Sequence, residues 1–135
     1  MNLSELSPIS ALKTALVAAG IDGIIYEGSK PTSGLPDSFI ELYVNGSMSS
    51  DTENMSIVNG AVLLSINVKL LSTGEVNSKK ETLIMSTLNT LFFNGKTVVS
   101  GKYRFTIDMK NIVYGGRGLS EGYSTKVLNL LVKTF

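Results

Sequence analysis

Hydrophobic and polar residues alternate most regularly between Ala61 and Leu71. Successive side chains of an extended chain point to opposite sides, so a period of two predicts a strand. The residues on the more apolar side are Val62, Leu64, Ile66, Val68 and Leu70. The pattern therefore predicts a long central strand with one face that must be buried.

A helical pattern follows after the turn from Ser72 to Gly74. Ser78 and Glu81 stand three residues apart ahead of it, which predicts a capping box with Ser78 as the cap. Apolar residues then recur at helical spacing, namely Leu83, Ile84, Leu88, Leu91 and Phe92. Asn94-Gly95 marks the expected end. We expect this amphipathic helix to fold back onto the apolar face of the central strand.

Shorter patterns on both sides complete the order of elements. A first helix is predicted from Pro8 to Ala19, because Ser7 suits the cap position and Pro8 suits the first turn. Val98-Val99 is expected to lie in a connecting loop. The remaining predicted strands are Gly23–Gly28, Phe39–Asn45, Tyr103–Tyr114 and Tyr123–Phe135.

Together these elements predict a single α+β domain over residues 1–135. The expected architecture is a mostly antiparallel sheet of four to five strands with an N-terminal helix and a second helix packed on the sheet. The last predicted strand is apolar on both faces, so the sheet needs cover on both sides. The N-terminal helix and a neighbouring subunit are the two explanations for the second cover.

The composition excludes several kinds of chemistry. The 135 residues include no histidine and no cysteine. This excludes disulfides, thiol nucleophiles, histidine-based zinc motifs and a Ser-His-Asp triad. Asp108 and Glu41 are predicted to lie on solvated faces of strands. We therefore expect no enzyme activity, no cofactor and no metal site.

The net charge and the hydropathy of the chain argue against two kinds of partner, nucleic acid and membranes. The net charge is +1, which gives no general attraction for nucleic acid or an anionic membrane. The apolar runs are much shorter than the roughly 20 residues that span a bilayer, and the N-terminus lacks a targeting pattern. A soluble protein made in the cytoplasm is expected. The glycine-rich stretch Gly115–Gly118 precedes a strand rather than opening a helix, so it is predicted to be a hairpin connector, not a phosphate site.

The layout resembles the tail-terminator, or tail-completion, proteins of long-tailed bacteriophages and related minor structural proteins of the neck. The resemblance rests on the order of three parts of the chain. These parts are the helix Pro8–Ala19, the strand–turn–helix unit from Ala61 to Phe93, and the pair Tyr103–Tyr114 and Tyr123–Leu130 joined across the glycine-rich turn.

This resemblance implies a structural role in the virion. Such proteins form rings, often hexameric, that end the tail tube and join it to the head connector, and DNA passes through the ring without specific binding. The implied partners are further copies of this chain, tail-tube proteins and neck or connector proteins, and no membrane. The implied location is the tail or neck of a virion, after synthesis in the bacterial cytoplasm.

Two loops are the candidates for these contacts, because long loops in small domains are often binding loops. Met48, Met55 and Ile57 are apolar residues in the otherwise polar loop from Gly46 to Asn59. Arg117 and Leu119 lie in the glycine-rich connector. These five residues are predicted to contact other subunits or the tail tube.

Two other functions stay open at this stage. The first is a monomeric α+β module that holds a small ligand in a pocket between helix and sheet. The second is an enzyme that uses only Asp, Glu, Lys or Tyr, which would require a deep pocket with converging carboxylates.

Overall fold

The computed structural model describes residues 8–28, 31, 33–44, 49–50, 58–92, 97–101, 103–107 and 122–134. It confirms both predicted helices and places a strand in each of the predicted strand regions. The elements in chain order are α1 (Pro8–Ala18), β1 (Ile24–Glu27), β2 (Ser38–Val44), β3 (Ser49–Ser50), β4 (Val58–Lys69), α2 (Ser78–Phe92), β5 (Val98–Ser100), β6 (Tyr103–Ile107) and β7 (Tyr123–Thr134).

The strands form one mixed sheet, and the fold is α+β as predicted. The order across the sheet is β1-β2-β4-β7-β6-β5, and the short strand β3 pairs with β4. This main path has six strands, slightly more than the predicted four to five. The extra strand is β5, because Val98-Val99 pairs with β6 instead of lying in a loop.

The sheet is mixed rather than mostly antiparallel because β1 runs parallel to β2. A parallel pair needs a connection that returns the chain to the starting end of the first strand, which a two-residue hairpin cannot provide. Gly23, just before β1, approaches Ser38 of β2 closely: a Cβ at Gly23 would lie 3.0 Å from the Ser38 carbonyl oxygen. Its φ of +108° also favours glycine.

The start of α2 differs in detail from the predicted capping box. The Asn77 side chain caps the helix, because its Oδ1 accepts a hydrogen bond of 3.2 Å from the Lys80 backbone N–H. The Glu81 N–H donates to the Asn77 carbonyl oxygen, as in a regular first turn. Ser78 is therefore the first helical residue and not the cap, and the side chain of Glu81 is available for another role.

Both helices pack on one face of the sheet, which we call the inner face. Leu12 and Leu16 of α1 and Ile84, Leu88 and Phe92 of α2 belong to one buried cluster with the strands. The strand residues of this cluster include Ile25, Ile40, Leu42, Val62, Leu64, Ile66, Val68, Phe105, Leu128, Leu130 and Val132. The predicted packing of α2 on the central strand is confirmed, whereas α1 covers the same face and not the second one.

One curved sheet accommodates two helices because it curls into a half-barrel. Helix α1 lies against β1 and β2 at one end of the sheet and against β5 and β6 at the other. A helix can touch both ends only if the sheet bends around it. The inner face is therefore concave, and the face opposite it, which we call the outer face, is convex.

Neither of these helices could serve as a membrane span. Among the described residues, no helix combines the length and the apolar character needed to cross a membrane.

Candidate functional site

The residues predicted to make subunit or tail-tube contacts cannot be placed. Met48, Met55, Ile57, Arg117 and Leu119 all lie outside the described residues. Within the described residues, the candidate sites are the outer face of the sheet, the buried carboxylate of α2 and the grooves beside α2.

The middle of the outer face is a buried polar network. Asn67 lies opposite Thr125 in the pairing of β4 with β7, and Thr125 Oγ1 donates to Asn67 Oδ1 over 2.7 Å. Asn67 Nδ2 donates in turn to Ser65 Oγ over 3.2 Å and to the Ser65 carbonyl oxygen over 3.3 Å. All three residues are buried. One hydrogen bond between β7 and β4 and two within β4 thus satisfy these buried polar groups.

Aromatic rings lie beside this network. Phe39 pairs with Asn67 in the register and is fully buried. Its ring meets those of Tyr26 and Tyr123 edge-on, with centroids 5.8 and 5.3 Å away. Tyr123 Oη donates to the Pro36 carbonyl oxygen over 2.7 Å, which ties the segment before β2 to β7. The outer face is therefore specified by polar contacts and aromatic packing without cover from α1 or α2.

Glu41 is not solvated as predicted but buried on the outer face. Asp108, the other predicted strand carboxylate, lies outside the described residues. Burial raises the pKa of Tyr43, the nearby Glu41 carboxylate raises it further, and a hydrogen bond with Ser65 opposes both effects. Tyr43 therefore stays protonated near neutral pH and is unsuited to act as a base.

Tyr123 is a second tyrosine whose pKa is raised. Burial raises its pKa, and Asp37 and Tyr26 add to the effect. Both phenols thus act as structural groups, since neither is activated toward nucleophilic or base chemistry at neutral pH.

A second polar cluster joins α2 to β7. Ser124 Oγ donates to Glu81 Oε1 over 2.6 Å, and Lys126 Nζ lies 3.1 Å from Glu81 Oε2. Glu81 is buried, whereas Lys126 is partly exposed. Since each carboxylate oxygen of Glu81 has a partner on β7, the cluster holds the first turn of α2 on the sheet.

Sequence patterns did not reveal the contact of Glu81 with β7, because they predict a place for the Glu81 side chain in the capping box that begins at Ser78. The signal that is visible in the sequence is its position in α2. Glu81 precedes Ile84 by three residues and Leu88 by seven, so it lies on the apolar face of the helix. A charged residue there is expected to find a partner on the sheet.

Two shallow grooves flank α2. The larger one, of about 470 Å³, is lined by Thr82, Met85, Ser86, Asn89 and Lys126. The smaller one, of about 290 Å³, is lined by Asp22, Asn77, Lys79, Lys80 and Leu83. Both grooves lie at the surface. Ile84, Leu88 and Phe92 of α2 pack against the sheet, and the larger groove lies where α2 adjoins Lys126 of β7.

Within the described ranges, no group of three or more carboxylates is arranged to hold a metal ion. The described polar clusters are bonded internally, and Lys126 of the second cluster also lines the larger groove.

The comparisons with known proteins bear on the fold alone. No protein-family model matches the chain, and no curated protein matches it significantly. Seventeen solved chains match its structure, so the architecture recurs in other proteins. One of them, whose name describes no activity, superposes with a TM-score of 0.57 at 12% sequence identity, over 93% of this chain and 92% of that one.

Proposed function

We propose that this chain is a structural protein of a bacteriophage or prophage tail or neck. In this proposal it forms a ring, hexameric in the simplest case, that terminates the tail tube and joins it to the head connector. Its partners are further copies of itself and the tail-tube and neck proteins, and its location is the virion.

The observation that carries the proposal is the packing of α1 and of the β4–α2 unit around one sheet. These are the elements on which the resemblance to tail terminators rests, and they occur in the expected order. The internally bonded polar groups support a structural role over a catalytic one. A net charge of +1 suits a conduit through which DNA passes without being held.

Disruption of the gene in the phage or lysogen that carries it tests this function. We expect heads and tails that do not join, and tails of irregular length, in electron micrographs of the lysate. Complementation with the intact chain should restore joined particles, and antibody against the chain should label the head–tail junction. Normal particles from the disrupted gene would contradict the proposal.

A monomeric small-ligand-binding module is the second candidate. The groove beside Lys126 favours it, because hydroxyl, amide and ammonium groups lie there next to Met85. Chemical-shift mapping of the isolated protein with a library of small anionic and polar compounds tests this function. Saturable shifts at groove residues in a protein that stays monomeric would favour it over the ring.

A further inference from the structure

The chain between β4 and the first turn of α2 is attached to the sheet at its two ends. At its start, the Leu70 backbone N–H donates to the Gly122 carbonyl oxygen over 2.9 Å. At its far end, Glu81 of α2 contacts Ser124 and Lys126 of β7. We call residues 71–80, which lie between these two attachments, the strap.

The hydrogen bonds described for the strap are internal to it and to the first turn of α2. The Leu71 N–H donates to the Glu75 carbonyl oxygen over 2.9 Å. Asn77 accepts two bonds, one from the Lys80 N–H on its side chain and one from the Glu81 N–H on its carbonyl oxygen. Both partners of each bond belong to one segment, so these bonds persist when that segment leaves the sheet.

The strap and the first turn of α2 bury little apolar surface. Residues 71–76 are exposed, among them Leu71 at 46% and Val76 at 43%. Within residues 78–81 the buried side chain is that of Glu81, and the buried apolar side chains of α2 begin at Ile84. Segments with few buried apolar contacts open locally at a lower free energy than the whole domain unfolds.

We propose that the strap and the first turn of α2 detach from β7 as one unit, and that the contacts of Glu81 keep this unit closed. The Glu81 side chain is 8% exposed. Ser124 Oγ binds one carboxylate oxygen at 2.6 Å, and Lys126 Nζ lies 3.1 Å from the other. Hydrogen bonds to a charged group are stronger than neutral ones. In the open form, the apolar side chains from Ile84 onward still hold the rest of α2 on the sheet.

Opening of this unit also changes the larger groove beside α2. Thr82, Met85, Ser86 and Asn89 line the groove from α2, and Lys126 lines it from β7. Detachment of the first turn moves Thr82 away from Lys126, so the groove has its described shape in the closed form. All these contacts lie within one copy of the chain. The opening therefore does not depend on the proposed ring.

Hydrogen exchange of the full chain, followed by NMR at single amides, tests the proposal. The Glu81 N–H reports on the first turn of α2, and amides of β4 and of the last turn of α2 are the references. Lys126→Met leaves the buried Glu81 carboxylate with the Ser124 hydroxyl alone. This should speed exchange at Glu81 by about tenfold or more, and exchange at the reference amides by much less.

Either of two results would overturn the proposal. Unchanged exchange at Glu81 in Lys126→Met would mean that these contacts do not hold the unit closed. Equal acceleration at Glu81 and in β4 would mean that the unit opens only when the whole domain unfolds. Lys79→Met is the matched control, since Lys79 is an exposed lysine of the same turn. It should leave exchange at Glu81 unchanged.

Two further variants separate the hydrogen bond from the ion pair. Ser124→Ala removes the 2.6 Å bond and keeps the ion pair, so it should speed exchange at Glu81 by about three- to tenfold. It also serves as the test if Lys126→Met does not fold. The double variant Glu81→Lys/Lys126→Glu restores opposite charges and should recover most of the slow exchange. A double variant that exchanges as fast as Lys126→Met would overturn the role of the ion pair.

Discussion

Leu130 and Leu131 are consecutive residues of β7, and they lie in contrasting environments. Leu130 is fully buried in the cluster that both helices share, whereas Leu131 is 46% exposed on the outer face. The same contrast runs along the whole sheet. The inner face is apolar packing apart from the cluster of Glu81, Ser124 and Lys126. The outer face has a polar and aromatic centre, with exposed apolar residues towards the two ends of the sheet.

This difference indicates that the two faces contribute to the stability of the fold in different ways. The inner face supplies most of the hydrophobic free energy of folding, because it buries large apolar side chains from two helices and six strands. The outer face contributes hydrogen bonds that fix the register, and each is expected to add less net stability. It leaves Ile24 exposed towards one end of the sheet, and Val99 and Leu131 towards the other.

The largest expected effect comes from the paired variants Leu130→Ala and Leu131→Ala. Leu130→Ala should lower the free energy of unfolding by about 2–5 kcal/mol, since it removes buried contacts and leaves a cavity. Leu131→Ala should change it by less than about 0.5 kcal/mol, since its side chain is half exposed. Urea unfolding followed by circular dichroism measures both. Similar losses in the two variants would break the contrast between the faces.

A smaller effect is expected from Thr125→Val in the polar network. The substitution leaves Asn67 Oδ1 without the donor it has at 2.7 Å, so the free energy of unfolding should fall by about 1–3 kcal/mol. Thr106→Val on the same face is the control, because its contact with Thr97 is long, at 3.5 Å, and exposed. No loss in Thr125→Val by urea unfolding would show that the network is dispensable.

The smallest effect concerns alkaline pH. The pKa of Tyr43 is raised above its ordinary value of 10.0, so the unfolded chain loses this proton first as the pH rises. The folded state then binds more protons, and the free energy of unfolding falls as the pH rises from the unfolded to the folded pKa. Tyr43→Phe should weaken this fall. Urea midpoints at about pH 8 and about pH 11 measure it, and an unchanged pH dependence would contradict the role of Tyr43.

Local patterns predicted much of the fold. The period of two around Leu64 and the helical period around Ile84 identified β4 and α2, because each element shows one face to the core along its whole length. Pro8 marked the start of α1. These signals act within a few residues, so the sequence displays them directly.

Each detail that the sequence patterns predicted wrongly depends on a contact that forms only in the folded structure. Asn77, and not Ser78, caps α2, and Glu81 turned out to bind β7. The strand β5 has only three residues, too few to show alternation, and exists because β6 lies beside it. Of the candidate site, the sequence suggests loop residues that lie outside the described ranges, and it does not reveal the buried contact between Asn67 and Thr125 on the outer face.

The sequence by itself determined both helices, the strands β1, β2, β4, β6 and β7, and which side of β4 is apolar. Hydrophobic spacing and the conformational preferences of single residues are sufficient for that. Only the tertiary structure decided that α1 and α2 share the concave face, that β1 runs parallel to β2, and that Ile24 and Val99 lie at opposite ends of the sheet. These features follow from the pairing and curl of strands far apart in the chain, which no local pattern records.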